Sequence, residues 1–139
     1  MNSGFEILEH PADIGIRSRG RSLSEAFEQA AVGLFNLMYD PARVTPSLTR
    51  EVEIQSEGLD YLLHDFLSEI VYLFDADKLA FSQVEILSLS PEQLRVRFRG
   101  EQFDPLRHEG RIYVKAATLH QLKVEERGEE WVAEVYFDI

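Results

Sequence analysis

The stretch Leu59-Asp60-Tyr61-Leu62-Leu63-His64-Asp65-Phe66-Leu67-Ser68-Glu69-Ile70-Val71-Tyr72-Leu73-Phe74, together with the change of period after Leu79, sets the fold class. Leu59, Leu62, Leu63, Phe66, Leu67, Ile70, Val71 and Phe74 recur at spacings of three and four, the period of one helical face. From Leu79 onward the period drops to two. Val84-Glu85-Ile86-Leu87-Ser88-Leu89 and Leu94-Arg95-Val96-Arg97-Phe98-Arg99 flank Ser90-Pro91-Glu92-Gln93, which reads as a hairpin.

On the N-terminal side, residues 50–56 alternate Glu51, Glu53 and Gln55 against Val52 and Ile54, a strand with one wet face. Before it, Ser22 with Glu25 forms a capping box that opens a helix at Leu23. Leu23, Ala26, Phe27, Ala30, Ala31, Leu34, Phe35 and Met38 make its apolar stripe, a core face that ends at Asp40-Pro41. Phe5-Glu6-Ile7-Leu8 and Ile14-Gly15-Ile16-Arg17-Ser18 read as strands. His10-Pro11-Ala12-Asp13 breaks them, because proline lacks a ladder amide. On the C-terminal side, residues 100–110 read as a polar loop, 112–119 and 121–126 as strand-like, and 131–137 as a closing strand. The expected fold is α+β: two amphipathic helices on one face of a mostly antiparallel (mixed) β-sheet, one domain over residues 1–139. A chain of this length buries enough surface to fold without staples.

The composition excludes several classes. The absence of cysteine removes disulfides, thiolate metal sites and thiol nucleophiles. No apolar run reaches membrane-span length and the start is unlike a signal peptide, so no membrane and a cytoplasmic location are expected. Twenty-five acids against fourteen bases leave a net charge of −11. An unaided nucleic-acid binder carries a basic footprint instead, because its affinity comes from neutralising phosphates. With 45% hydrophobic residues the chain is no disordered acidic tail either. The surplus charge therefore sits on a folded surface suited to a cation or a basic partner.

No glycine-rich phosphate loop, paired metal-spaced histidines or nucleophile elbow is present. The candidates are scattered. Asp13, in the break between two strands, is either a rigid metal ligand or a turn-forming aspartate, and spacing alone favours the turn. Asp138 and the terminal carboxylate of Ile139 can converge on one point, where two carboxylates need a cation or proton between them. Their alternative is a solvated tail, which spacing again favours. Oxygen ligands of this kind suit Ca²⁺, Mg²⁺ or Mn²⁺. Arg95, Arg97 and Arg99 share one strand face, as a cationic stripe or as the wet side of a sheet. Arg107, His108, Arg111 and Lys115 make a looser basic cluster, and His120 is a ligand or a core histidine.

These residues resemble a known family. His10-Pro11-Ala12-Asp13-Ile14-Gly15 is similar to the signature near the start of archease, with Pro11 where threonine is usual. That departure bears on a hydroxyl contact beside Asp13 and not on Asp13 itself. The first helix, Gly100-Glu101 with Asp104 and His108, Val114-Lys115-Ala116-Ala117-Thr118-Leu119-His120 and the ending Ala133-Glu134-Val135-Tyr136-Phe137-Asp138-Ile139 resemble that family in the same order. The resemblance implies a non-enzymatic accessory protein of the GTP-dependent tRNA-splicing RNA ligase, promoting guanylylation of the ligase and multiple turnover. It implies a metal site at Asp13, Asp138 and the Ile139 carboxylate, reversing the spacing preference at all three, with calcium as the expected ion and Mg²⁺ or Mn²⁺ as alternatives. RNA would then be met only through the ligase. The competing readings are a metal-dependent phosphoester hydrolase using Asp13, Asp138 and His120, and a chaperone-like RNA-associated adaptor using the arginine strand.

Overall fold

The computed structural model describes residues 3–9 and 13–139. Its elements run β1 (Gly4–Glu9), β2 (Asp13–Gly20), α1 (Leu23–Met38), a 3₁₀ turn (Pro41–Arg43), β3 (Leu48–Gln55) and α2 (Leu59–Asp77). Beyond them lie β4 (Leu79–Ser90), β5 (Gln93–Gln102), the one-turn α3 (Pro105–His108), β6 (Ala116–Ala117), β7 (Lys123–Arg127) and β8 (Glu130–Asp138). The α+β class is borne out. The strands divide into two sheets rather than one, and every described pairing is antiparallel: β1-β2-β8-β6 with β7 also on β8, and β3-β5-β4.

The helices form where the apolar period required. Ser22 Oγ accepts from Glu25 N at 3.1 Å, the first half of the capping box. The return half differs, because Glu25 Oε1 accepts from Arg21 N at 2.8 Å, one residue before the cap. The apolar faces of both helices and both sheets join one core. Stacked or tilted rings link them: Phe27 of α1 with Phe66 of α2, Phe66 with Phe98 of β5, Phe98 with Phe81 of β4, and Phe81 with Phe35 of α1. Such pairs add to their burial energy through edge and face electrostatics. Gly100 on β5 is required by close approach, since a Cβ there would overlap the Ala80 carbonyl across a bulged stretch of β4.

Each sheet leaves an edge beside a helix, and helix side chains close it. The outer amide of Ile86 on β4 donates to Glu28 of α1 at 2.9 Å. The Tyr39 hydroxyl, fully buried just past α1, accepts from Phe81 N at 2.6 Å and donates to Phe81 O at 2.9 Å. Burial pushes that phenol well above its usual pKa. On the other sheet, Val124 N of β7 donates to Asp60 of α2, and His64 Nε2 lies 3.1 Å from Ala117 O of β6. Edge groups left open would template pairing with other chains.

Two expectations fail in the region after β5. Residues 100–110 are not simply a polar loop: residues 100–102 complete β5, and α3 carries the fully buried His108. Of residues 112–119 only Ala116 and Ala117 are strand. For Ile112 the reason lies at the end of α1, whose last carbonyls have no partner inside the helix. Arg111 N and Ile112 N donate to Met38 O and Leu37 O at 2.8 and 3.0 Å, and the Arg111 side chain donates to Asn36 O at 3.0 Å. A backbone that caps a helix cannot also enter a ladder at the same residues.

Tyr39→Phe keeps the ring and strands both polar groups of Phe81. Unsatisfied buried groups cost about 1–3 kcal/mol, so a loss of this order is expected in urea unfolding, with an unchanged slope.

Candidate functional site

Asp13 is not in a turn. It opens β2 and is the Cα partner of Asp138 on β8, while Ala116 of β6 partners Asp138 from the other side. Directly opposed residues of an antiparallel pair share a face, with Cβ atoms about 4.5–5.5 Å apart. Ile14, Ile16, Val135 and Phe137 face the core, so the alternate residues face outward. The outer face therefore presents, row by row, Asp13 with Asp138, Gly15 with Tyr136, and Arg17 with Glu134.

Each row has a separate electrostatic character. Arg17 Nε sits 2.8 Å from Glu134 Oε1 and its Nη1 2.9 Å from Glu6 Oε1. Glu134 first, then Glu6, hold this guanidinium in its charged form. In the middle row the Tyr136 ring lies against Gly15, where a Cβ would come within 2.6 Å of the ring carbon Cε2. Burial raises the Tyr136 pKa, Glu134 and Asp13 add to the rise, and Arg17 opposes it. The ring thus separates the Arg17 ion pairs from the aspartate pair. Among the described residues, no ion pair or hydrogen bond is formed by the Asp13 or Asp138 side chain. Ile139 is the next residue and is exposed. Two carboxylates this close repel unless a cation or proton lies between them.

The other candidates disperse. His120 is exposed rather than a core residue, its ring edge-on to Tyr136 with centroids 5.9 Å apart. Among the described residues, no group of three His, Cys, Asp or Glu side chains is placed to hold a metal ion. Arg95, Arg97 and Arg99 lie on the wet face of the other sheet. Arg97 is held between Glu51 at 2.9 Å and Glu85 at 3.2 Å, Arg95 is 3.9 Å from Glu51, and Arg99 donates to Thr49. Their partners sit on the neighbouring strands, which makes the stripe a solvated charge ladder. His10, Pro11 and Ala12 of the sequence motif lie outside the described residues.

His108 is a clasp. Asp104 N donates to its Nδ1 at 2.9 Å, so the proton sits on Nε2, which donates to Glu101 Oε2 at 2.8 Å. Glu101 also accepts from Thr45 N at 2.7 Å and pairs with Arg107 at 2.7 Å. Arg111 pairs with Glu109 at 3.0 Å, so three members of the second basic cluster, Arg107, His108 and Arg111, are likewise spent on neighbours, while Lys115 is exposed. Sequence reasoning misses Tyr136 and Gly15 as parts of the outer face. Their signal is present, since Gly15 is two residues after Asp13 and Tyr136 two before Asp138, on the same pleat.

The archease protein family (MTH1598/TM1083) matches residues 5–139. The chain belongs to the archease family. It is 39% identical over 137 residues to the protein archease of Sulfurisphaera tokodaii, covering 97% of this chain and 98% of that one. It is 39% identical over 139 residues to the protein archease of Thermococcus kodakarensis, with the same coverage. The solution structure of protein 1598 from Methanobacterium thermoautotrophicum superposes with a TM-score of 0.81 at 33% identity, covering 98% of this archease-family chain and 99% of the other. An archease from Thermotoga maritima, described as a possible chaperone, shares the fold with a TM-score of 0.63 at 23% identity, covering 96% of each chain.

The Glu101 contacts give a pH prediction. The Thr45 amide first, then His108, hold its carboxyl below the usual range. A depressed folded pKa contributes stability that is present above the unfolded value, about 4.3, and is lost as pH falls through the folded one. Glu101→Gln is expected to be less stable than the parent at pH 7, with the gap closing in thermal melts taken at successively lower pH below about 4.

Proposed function

We propose that this archease-family protein is a non-enzymatic accessory of the GTP-dependent tRNA-splicing RNA ligase, promoting its guanylylation and multiple turnover. The proposal includes a divalent-metal site formed by Asp13, Asp138 and the carboxylate that Ile139 carries as the last residue of this sequence. The single observation supporting it is the cross-strand pairing of Asp13 with Asp138, two carboxylates on one face without a described counter-charge. An all-oxygen set of this kind suits calcium, with Mg²⁺ or Mn²⁺ as alternatives. A bound divalent cation would supply Lewis-acid charge stabilisation.

The residues divide the work. Asp13 and Asp138 are held by a strand pair, so their spacing does not depend on a loop. Gly15 makes room for the Tyr136 ring in the row between, and Arg17 is already paired with Glu6 and Glu134. Function as a ligase accessory then takes one of two routes: these carboxylates position an ion at the partner's nucleotide site, or the protein binds the guanylylation-competent form of the ligase more tightly and shifts its population. RNA is contacted through the ligase, in keeping with the −11 charge, and the working compartment is the cytoplasm.

The test is covalent GMP transfer to a cognate ligase, followed with GTP and divalent metal in the presence and absence of this protein. Wild type is expected to accelerate it, and no acceleration overturns the reading. Asp13→Asn and Asp138→Asn each remove one side of the carboxylate repulsion, so neither should lose stability without metal. Both should lose the metal-dependent gain, about 2.7 kcal/mol at a hundredfold excess over Kd for the parent. Unchanged metal stabilisation in either variant removes that aspartate from the site. Appending one residue after Ile139 should weaken metal binding, and unchanged affinity removes the terminal carboxylate from the site.

A further inference from the structure

The exposed apolar surface of this protein is unevenly placed. Eight large hydrophobic residues are exposed among those described, and four of them, Tyr72, Tyr113, Leu119 and Ile139, gather around β6. Tyr113 and Leu119 lie within three residues of it along the chain, Ile139 comes directly after its pairing partner Asp138, and Tyr72 lines the groove beside it. That groove, of ≈ 240 Å³, runs between Val71, Tyr72 and Asp75 of α2 and the stretch from Lys115 to Ala117. Exposed apolar side chains grouped beside a groove with a polar rim are the kind of surface that meets a partner.

The charge around it identifies the visitor. Between Leu59 and Asp77, α2 carries Asp60, Asp65, Glu69, Asp75 and Asp77 and no lysine or arginine. Three of the five carboxylates have internal work: Asp60 accepts from Val124 N, Asp65 from Ser56, and Asp77 pairs with Arg50. Among the described residues, the side chains of Glu69 and Asp75 form no ion pair or hydrogen bond. These two stand three residues before and after Tyr72, the spacing at which helix side chains are neighbours. Tyr72 is 59% exposed between them. Asp75 also stands in the last turn, where the helix dipole is already negative, which is unfavourable for folding and favourable for receiving a cation. Lys115, the one base lining the groove, lies on its far wall.

We propose that the groove between α2 and β6 docks a protein partner through an arginine side chain that stacks on Tyr72 between Glu69 and Asp75, beside an apolar residue seated in the groove. Guanidinium is the cation that both stacks on an aromatic face and pairs with carboxylates in a planar fork. A second copy of this chain is a poor occupant, because it would bring the same acidic rim against itself. Resting on the function proposed above, the partner is the ligase. One wall of the groove, β6, is the strand next to Asp138, about 5 Å away in the pairing direction, so a protein docked there sits at the edge of the sheet that carries the aspartate pair.

The experiment is calorimetric titration of the ligase with wild type, Tyr72→Ser, the Glu69→Gln/Asp75→Asn double variant, and Glu53→Gln on the opposite sheet as a control. All the altered side chains lie at the surface, and melting curves confirm folding. Expected are a Kd at least tenfold weaker for Tyr72→Ser and for the double variant, a flatter salt dependence for the double variant, and no change for Glu53→Gln. Wild-type affinity in both groove variants overturns the docking surface while leaving ligase activation standing. So does a wild-type dimer in light scattering that Tyr72→Ser dissolves, since a second copy then covers the face. Absence of any wild-type binding and of any accelerated GMP transfer overturns the functional reading and the docking proposal with it.

Discussion

The antiparallel register of β2 on β8 constrains the whole molecule. It joins residues at opposite ends of the chain and sets Asp13 against Asp138, Gly15 against Tyr136 and Arg17 against Glu134. A slip of one residue would exchange faces, sending Phe137 to the outer face and Tyr136 to the face that meets the helices. Several contacts oppose such a slip at once. Ile14, Ile16, Val135 and Phe137 are buried against the helices, Ser18 Oγ donates to Ala26 O of α1 at 2.7 Å, and Arg17 finds Glu134 only in this register. The burial that stabilises the core therefore also places the two aspartates together.

The helices do more than cover the sheets. Glu28 and Tyr39 close the β4 edge, while Asp60 and His64 close the β6 and β7 edge. In return the chain after α3 caps α1 through the amides of Arg111 and Ile112. The same residues that end one element complete another.

The excess of acids is distributed with a pattern. Most of the arginines are consumed locally, Arg97 by Glu51 and Glu85, Arg107 by Glu101 and Arg111 by Glu109. Among the carboxylates whose side chains have no described partner are the Asp13 and Asp138 pair and the Glu69 and Asp75 pair beside Tyr72. Both flank β6. The net charge of −11 thus includes, on either side of β6, carboxylates able to receive cations, whether a metal ion or a guanidinium.

The two helices were legible because burial imposes a 3.6-residue period, and both appear over their apolar stripes, Leu23–Met38 and Leu59–Asp77. The β4–β5 hairpin was legible because alternation and the Pro91 turn are local signals. The loop reading of residues 100–110 and the strand reading of 112–119 failed because His108 and Ile112 answer to partners such as Glu101 and Leu37 that no local pattern shows. At the site, Asp13, Asp138 and Ile139 were named from the sequence by resemblance, whereas spacing alone favoured a turn and a tail. The elements, the faces they bury and the sign of the surface charge could all be read from the amino-acid order, because they are consequences of periodicity and composition. Three relations needed the folded chain: residue 13 lies opposite residue 138, Tyr136 occupies the row between that pair and Arg17, and α2 leaves Tyr72 between two unpartnered acids. Such relations depend on which strand pairs with which, and pairing across nearly the whole length of the chain leaves no local trace.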